Sequence, residues 1–221
     1  SWSEAGTLQL QTTANYLTMD IDIDSQAIGR FYPAKLVMQP VSEQWQYATG
    51  HDGFAYMSQP ITHAFAVEAQ NVEGNPTFNY GLFSDALIVD LQYTAKEQAS
   101  GDSLTNRLLG SDNWNSGVWG TSADWLSADS GGVVNSSRLA LAVSDFSFEK
   151  QTVTHASGNY TSQPDGPFDE SNAWFGLNIV DDPDGIRFLV ETDNAGVPTQ
   201  SFELEDAFPE QPDFRYGRMR L

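Results

Sequence analysis

The sequence predicts an all-β protein: an antiparallel β-sandwich of immunoglobulin-like or jelly-roll type, with a long tryptophan-bearing loop inserted in it. Three observations carry this expectation. Apolar residues recur with period two in one segment after another, as they do in antiparallel strands with one solvated face. Clusters of Asn, Asp, Gly and Pro punctuate those segments where tight turns are needed. Convincing helical periodicity is scarce throughout the 221 residues.

The elements follow in chain order. Leu8-Gln9-Leu10-Gln11 reads as a short strand, and Leu17 to Asp24 alternates over eight residues, apolar groups on one face and carboxylates on the other. Ile61 to Gln70 repeats the pattern with Phe65, Val67 and Ala69 inward. Ser84 to Ala99 fits an amphipathic helix through Leu87, Ile88, Leu91 and Ala95. It fits a strand through Leu87, Val89, Leu91 and Tyr93 equally well, and the strand is preferred. Asp102 to Gly110 reads as two helical turns with an acidic start and a terminal glycine. Leu139, Leu141 and Val143 occupy odd positions, whereas Phe146 and Phe148 occupy even ones. Such a phase change marks a bulge or a strand passing between sheets. Phe175, Leu177 and Ile179 form a further alternation, and Phe214 and Tyr216 change phase to Met219 and Leu221 around Gly217. Turn chemistry stands at Asn71 to Pro76, Asp182 to Gly185 and Asp193 to Gly196. Residues 1–29 read as strands leading into or closing a preceding β-unit, or as strands of the main sheet. Residues 30–221 read as the sandwich, with a seam or insertion at 99–137.

Charge narrows the partners. Thirty Asp and Glu against ten Lys and Arg give a net charge of −20. That field repels phosphate backbones and anionic lipids, so no nucleic-acid partner is expected. No apolar run approaches the ~18 residues of a membrane span, so no membrane insertion is expected either. A charged-then-apolar leader is absent, so any signal peptide has been removed or lies upstream in a longer chain, and the sequence reads as an excised piece. Solubility, life in salty water or binding of divalent cations would each explain the acidity. Cysteine is absent, which excludes disulfides, thiolate nucleophiles and Cys-based zinc sites.

Little in the sequence carries chemistry. His51, His63 and His155 are scattered, and His63 falls on an inward strand position, as a core histidine would. No G-x-S-x-G elbow, phosphate-cradling glycine loop or HExxH helix occurs, so no enzyme is expected. A carboxylate-pair glycoside hydrolase is a remote alternative that thirty acids make easy to imagine and hard to specify. Asp20, Asp22 and Asp24 have calcium-loop spacing, but Ser25 and Phe31 stand where Gly and Glu are required, and the alternation makes the segment a strand. Asp181, Asp182 and Asp184 in a turn form the candidate calcium site. Trp114, Trp119 and Trp125 lie in the Gly/Ser/Asn-rich stretch; they are either a sugar-stacking platform or plugs that pin the loop to the sandwich. Arg215, Arg218 and Arg220 concentrate three of seven arginines and serve either internal carboxylates or a docked partner.

Several phrases occur in a specific order: Trp2-Ser3-Glu4-Ala5-Gly6, Gly29-Arg30-Phe31-Tyr32-Pro33, Phe54-Ala55-Tyr56-Met57-Ser58-Gln59-Pro60, Ala69-Gln70-Asn71 and Asn79-Tyr80. Pro164 to Asp169, Asp184-Gly185 and Phe214 to Leu221 follow. From Gly29 onward, in this order, they resemble the uncharacterised domain of MshQ-like proteins of mannose-sensitive haemagglutinin type IV pilus systems, and the opening Trp2 to Gly6 fits the stretch that precedes this domain in such proteins. The resemblance runs from Gly29 to Leu221, with 99–137 the least matched. It implies a surface protein of a Gram-negative bacterium, extracellular and pilus-associated, and brings no catalytic residues. Relatives often carry a cysteine before the F-x-Y-x-x-Q-P phrase, where this chain has Asp52-Gly53. The expected function is a non-catalytic module of an adhesin-like protein. It would mediate attachment or assembly through pilus subunits, other domains of the same protein or surface glycans. The alternative is a dedicated carbohydrate-binding module built on the three tryptophans.

Overall fold

A computed structural model describes residues 2–39, 41, 45–51, 53–56, 59–97, 103, 108–109, 118–127, 136–148, 153–155, 158–160, 173–189, 205–207 and 213–215. In chain order its strands are β1 (Gly6–Tyr16), β2 (Met19–Phe31), β3 (Lys35–Gln39), β4 (Trp45–Gln46), β5 (Phe54–Tyr56) and β6 (Ile61–Gln70). Two 3₁₀ turns, Tyr80–Leu82 and Asp85–Leu87, precede β7 (Asp90–Glu97), β8 (Leu108–Leu109), β9 (Val118–Trp119) and the short helix α1 (Ser122–Ser127). The remainder are β10 (Arg138–Phe148), β11 (Val153–His155), β12 (Gly158–Tyr160), β13 (Ala173–Asp181), β14 (Arg187–Leu189), β15 (Glu205–Ala207) and β16 (Asp213–Arg215).

The fold is all-β and sandwich-like. One sheet runs β14-β3-β6-β10-β8, with β4 also on β6; the other runs β15-β13-β7-β9. Their facing side chains make one core. Leu36, Ile61, Phe65, Val67 and Leu139 come from the first sheet, and Leu91, Tyr93, Trp119, Leu177 and Ile179 from the second. Phe65 meets Tyr93 and Trp119 across the gap, with ring centroids 6.0 and 5.5 Å apart. Its burial contributes roughly 1.5–3 kcal/mol. β6 is central because its alternation is unbroken: Ile61, His63, Phe65, Val67 and Ala69 are all buried, and both its edges are paired.

The expected phase change in β10 is a bulge. Val143 pairs with His63 and Phe146 with Ile61, so three residues of one strand span two of the other. Beyond the bulge the strand turns to a second neighbour, Ser147 pairing with Leu109 and Phe148 with Leu108. The strand reading of 84–99 holds from Asp90 to Glu97, while Ser84 opens only a 3₁₀ turn and 98–99 lie outside the described residues. Leu108–Leu109 are extended, not helical, because they complete the edge of β10; the rest of 102–110 lies outside the described residues apart from Ser103. Asp182 to Gly185 does not close a hairpin. It carries the chain from β13 in one sheet to β14 in the other, where β14 adds to β3 in parallel. β16 likewise adds to β5 in parallel, so two of the ladders depart from the antiparallel expectation.

Within 99–137 the described residues reach both sheets, through β8 in one and β9 in the other. The stretch also holds α1, which the sequence analysis did not anticipate. Thr121 and Asp124 cap that helix reciprocally: Thr121 Oγ1 accepts the Asp124 N–H, and Asp124 Oδ2 accepts the Thr121 N–H at 3.0 Å.

β1 and β2 join neither sheet. They pair only with each other among the described strands, as a two-stranded arm roughly 35 Å long. Two register shifts, at Gly29-Arg30 and Asp24-Ser25, each insert an extra residue in β2. The second brings Met19 and Ile28, an odd and an even position, onto the face that carries Leu8, Leu10 and Ala14. Leu17 and Met19 at the tip are 73% and 61% exposed. The arm is tied to the sandwich by the Arg30–Asp184 ion pair.

Candidate functional site

At the base of the arm three chain segments converge on a cleft of about 210 Å³. Trp2 and Glu4 enter it ahead of β1, Phe31 and Tyr32 leave the end of β2, and Asn71 and Glu73 belong to the turn after β6. Asn71 builds the turn. Its Oδ1 accepts the N–H groups of Glu73 and Asn75, both at 3.0 Å, and its Nδ2 donates to the Ser3 carbonyl at 3.0 Å. Gly74, at φ +87°, supplies the left-handed residue that closes it. Glu4 Oε2 accepts the Asn79 N–H at 3.2 Å, which fixes the incoming chain against the body. Trp2 packs on Phe31 with centroids 6.5 Å apart and planes at 45°. Trp2 and Tyr32 nonetheless keep 45% and 48% of their surface in water. The cleft thus joins aromatic faces to two carboxylates, and none of its lining residues is Lys or Arg.

Periodicity could not find this site, because its residues lie at strand ends and in a turn. The usable signal was elsewhere. Four of the ordered phrases quoted above meet here: the ones containing Trp2 to Glu4, Phe31-Tyr32, Asn71 and Asn79.

The residues singled out from sequence lie in other places. Trp119 on β9 and Trp125 in α1 are 6% and 0% exposed. Trp125 meets Tyr80 edge-on at 5.0 Å, and its Nε1 has no hydrogen-bond partner among the described residues. Both indoles are therefore core side chains, and neither offers a face to a sugar ring. Trp114 lies outside the described residues. Arg215 ends β16 opposite Tyr56, while Arg218 and Arg220 lie outside the described residues.

Asp181, Asp182 and Asp184 stand where β13 leaves its sheet, yet they do not form a group able to hold a metal ion, nor does any other His/Asp/Glu group among the described residues. The physical reason is that their partners differ. Asp184 is taken by Arg30, and Asp181 is exposed and stands opposite Asp90 in the strand pair. Burial, and then the nearby Asp181, hold the Asp90 carboxyl above its ordinary range. Gly120 lies directly on that carboxylate: a Cβ at 120 would fall 1.5 Å from Asp90 Oδ1. Tyr80 sits beside this corner, and its hydroxyl accepts the Val89 N–H at 2.9 Å. Burial raises its pKa despite that bond.

His63 is the core histidine its parity implied. It is fully buried, stacks on Trp45 at 3.6 Å with planes 4° apart, and shares a 2.9 Å hydrogen bond between Nδ1 and the Tyr93 hydroxyl. Burial pushes its pKa down to about 3.

Residues 4–205 match the family model described as DUF6701, third domain. The chain belongs to this family. No curated protein and no solved structure matches it. The region matched to the DUF6701 third domain takes in the arm, both sheets except most of β15, and the cleft apart from Trp2 and Ser3. Among its described residues no helix is long and apolar enough to cross a membrane.

Proposed function

We propose that this DUF6701 third domain is a non-catalytic module of a larger, MshQ-like surface protein of a Gram-negative bacterium. In this reading it acts outside the cell in attachment or in type IV pilus assembly. Its contacts are with pilus subunits, neighbouring domains of the same protein or surface glycans. The observation that carries the reading is the β1–β2 arm. A sandwich with its own core gains nothing from a projecting ribbon that holds Leu10, Leu17, Met19 and Ile28 in water. Exposed apolar side chains gathered on one element suit a contact surface. The free backbone edges of the arm offer strand addition as a second means of contact. The family description, a third domain, supports covalent neighbours, and the ordered phrases support the pilus system. The non-catalytic part rests on the lack of nucleophile–base motifs in the sequence. A glycan platform on Trp114, Trp119 and Trp125 is not taken up, since two of the three are inside the core.

The test shortens the arm. Replacing residues 11–25 by Asn-Gly joins the strands across the Leu10–Gln26 pair and leaves the sandwich untouched. Intact domain immobilised on a sensor should bind purified type IV pili, adjoining domains or components of a glycan array. The shortened form, melting at the same temperature, should lose that binding. An intact domain silent toward all three, or a shortened one that binds equally well, would sink the proposal.

A further inference from the structure

The cleft at Trp2 and Tyr32 offers a ligand ring faces, two carboxylates and the Ser3 and Tyr32 hydroxyls, and no cationic side chain. Asn71 is the amide best placed to meet sugar hydroxyls, but both ends of it are engaged, Oδ1 by two backbone N–H groups and Nδ2 by the Ser3 carbonyl. Glu4 uses one oxygen on Asn79, and Glu73 is exposed. Lys35 is buried under the Gly74 turn and Arg30 pairs with Asp184, and neither lines the cleft. Aromatic faces attract cations through their quadrupoles, and carboxylates bind the same groups by charge-assisted hydrogen bonds. A molecule of net charge −20 concentrates cations at such a concavity. The volume of about 210 Å³ lies below the roughly 300–1,000 Å³ of pockets that enclose a drug-sized ligand. One long side chain is the right size.

We propose that this cleft receives a single arginine or lysine side chain presented by a protein partner. The cationic head lies over the Trp2 ring within reach of the Glu4 and Glu73 carboxylates, and the aliphatic stem lies along Phe31. The inference rests on the reading of the domain as an interaction module and names the chemical group that it grips.

The test uses two short blocked peptides, alike except that arginine in one is citrulline in the other. Citrulline keeps the planar shape and loses the charge. Each is titrated into isotopically labelled domain at roughly 0.15 M salt, where the Debye length is about 8 Å. The arginine peptide should shift the Trp2 indole N–H and the Tyr32 and Asn71 amides, and the citrulline peptide should not. Trp2→Ala removes a ring and no charge; it should weaken binding by roughly 3- to 30-fold, the range of one cation–π contact. Glu73→Gln should weaken binding as well, whereas Asp181→Asn, which removes the same charge outside the cleft, should not. Equal binding of citrulline, indifference to Trp2→Ala, or shifts spread over the acidic surface would overturn the site. Larger shifts of the same resonances by a neutral methyl mannoside would also overturn it, in favour of a sugar. None of these failures touches the arm, whose shortening is tested separately.

Discussion

His63 shows what one buried titratable side chain costs. Its pKa of about 3 lies below the ordinary value near 6.5, so between those limits the unfolded chain binds a proton that the folded one refuses. Stability is therefore fully present above pH 6.5 and falls as pH drops, by about 1.4 kcal/mol per unit once the unfolded imidazole is mostly charged. Denaturant melts between pH 7 and pH 5, above most carboxylate titration, should show this slope, and His63→Gln should flatten it. Tyr80 makes a second case. Its hydroxyl accepts the buried Val89 N–H, so Tyr80→Phe should cost about 1–3 kcal/mol by leaving that donor unpaired. A loss below ~0.5 kcal/mol in the same melts would mean that water reaches the amide. His63 could be read from sequence because parity alone placed it inward. The cleft residues could not, since only folding brings position 2 beside positions 31 and 73.

The arm repays attention at the level of the element. Leu17 and Thr18, at φ +51° and +66°, make the two-residue turn that closes it, and Tyr16 pairs directly with Met19. Neither is a turn residue, and a β-branched residue in the left-handed region is costly. Alternation from Leu17 onward looked like uninterrupted strand for this reason: no Gly or Asn announced the reversal. The two inserted residues of β2 were equally hidden, because a bulge changes parity without changing composition. Leu17→Asn combined with Thr18→Gly should relieve about 1–2 kcal/mol per residue. Native-state hydrogen exchange should then show slower opening of arm amides, while the melting temperature of the sandwich stays where it was. A parallel gain in both would mean that arm and sandwich unfold together.

For the molecule as a whole, acidity is the term that solution conditions can move. A net charge of −20 repels itself, and raising sodium chloride from about 0.01 M to about 1 M shrinks the Debye length from roughly 30 to 3 Å. The melting temperature should rise, each 1 kcal/mol of relief appearing as about 2–4 °C in a chain of this size. Calcium and magnesium at equal ionic strength should raise it equally, given that Asp181, Asp182 and Asp184 assemble no metal site; a calcium-specific gain would reopen that corner. The sandwich class was readable because period two and turn chemistry are local properties of the chain. Which strands become neighbours was not, since the turn chemistry of Asp182 to Gly185 is the same whether the chain folds back on its own sheet or crosses to the other, as it does here.

That crossing has a consequence in time. β3 finds β6 soon after it is made, but its other neighbour, β14, comes from residues 187–189. β5 waits even longer, for residues 213–215. Closing such distant ladders is slow, because the entropy of the whole intervening loop is lost before any contact rewards it. A chain emerging from its amino end thus keeps that edge of β3 open until residues 187–189 have been made, and a chain cut short before Arg187 leaves it uncovered.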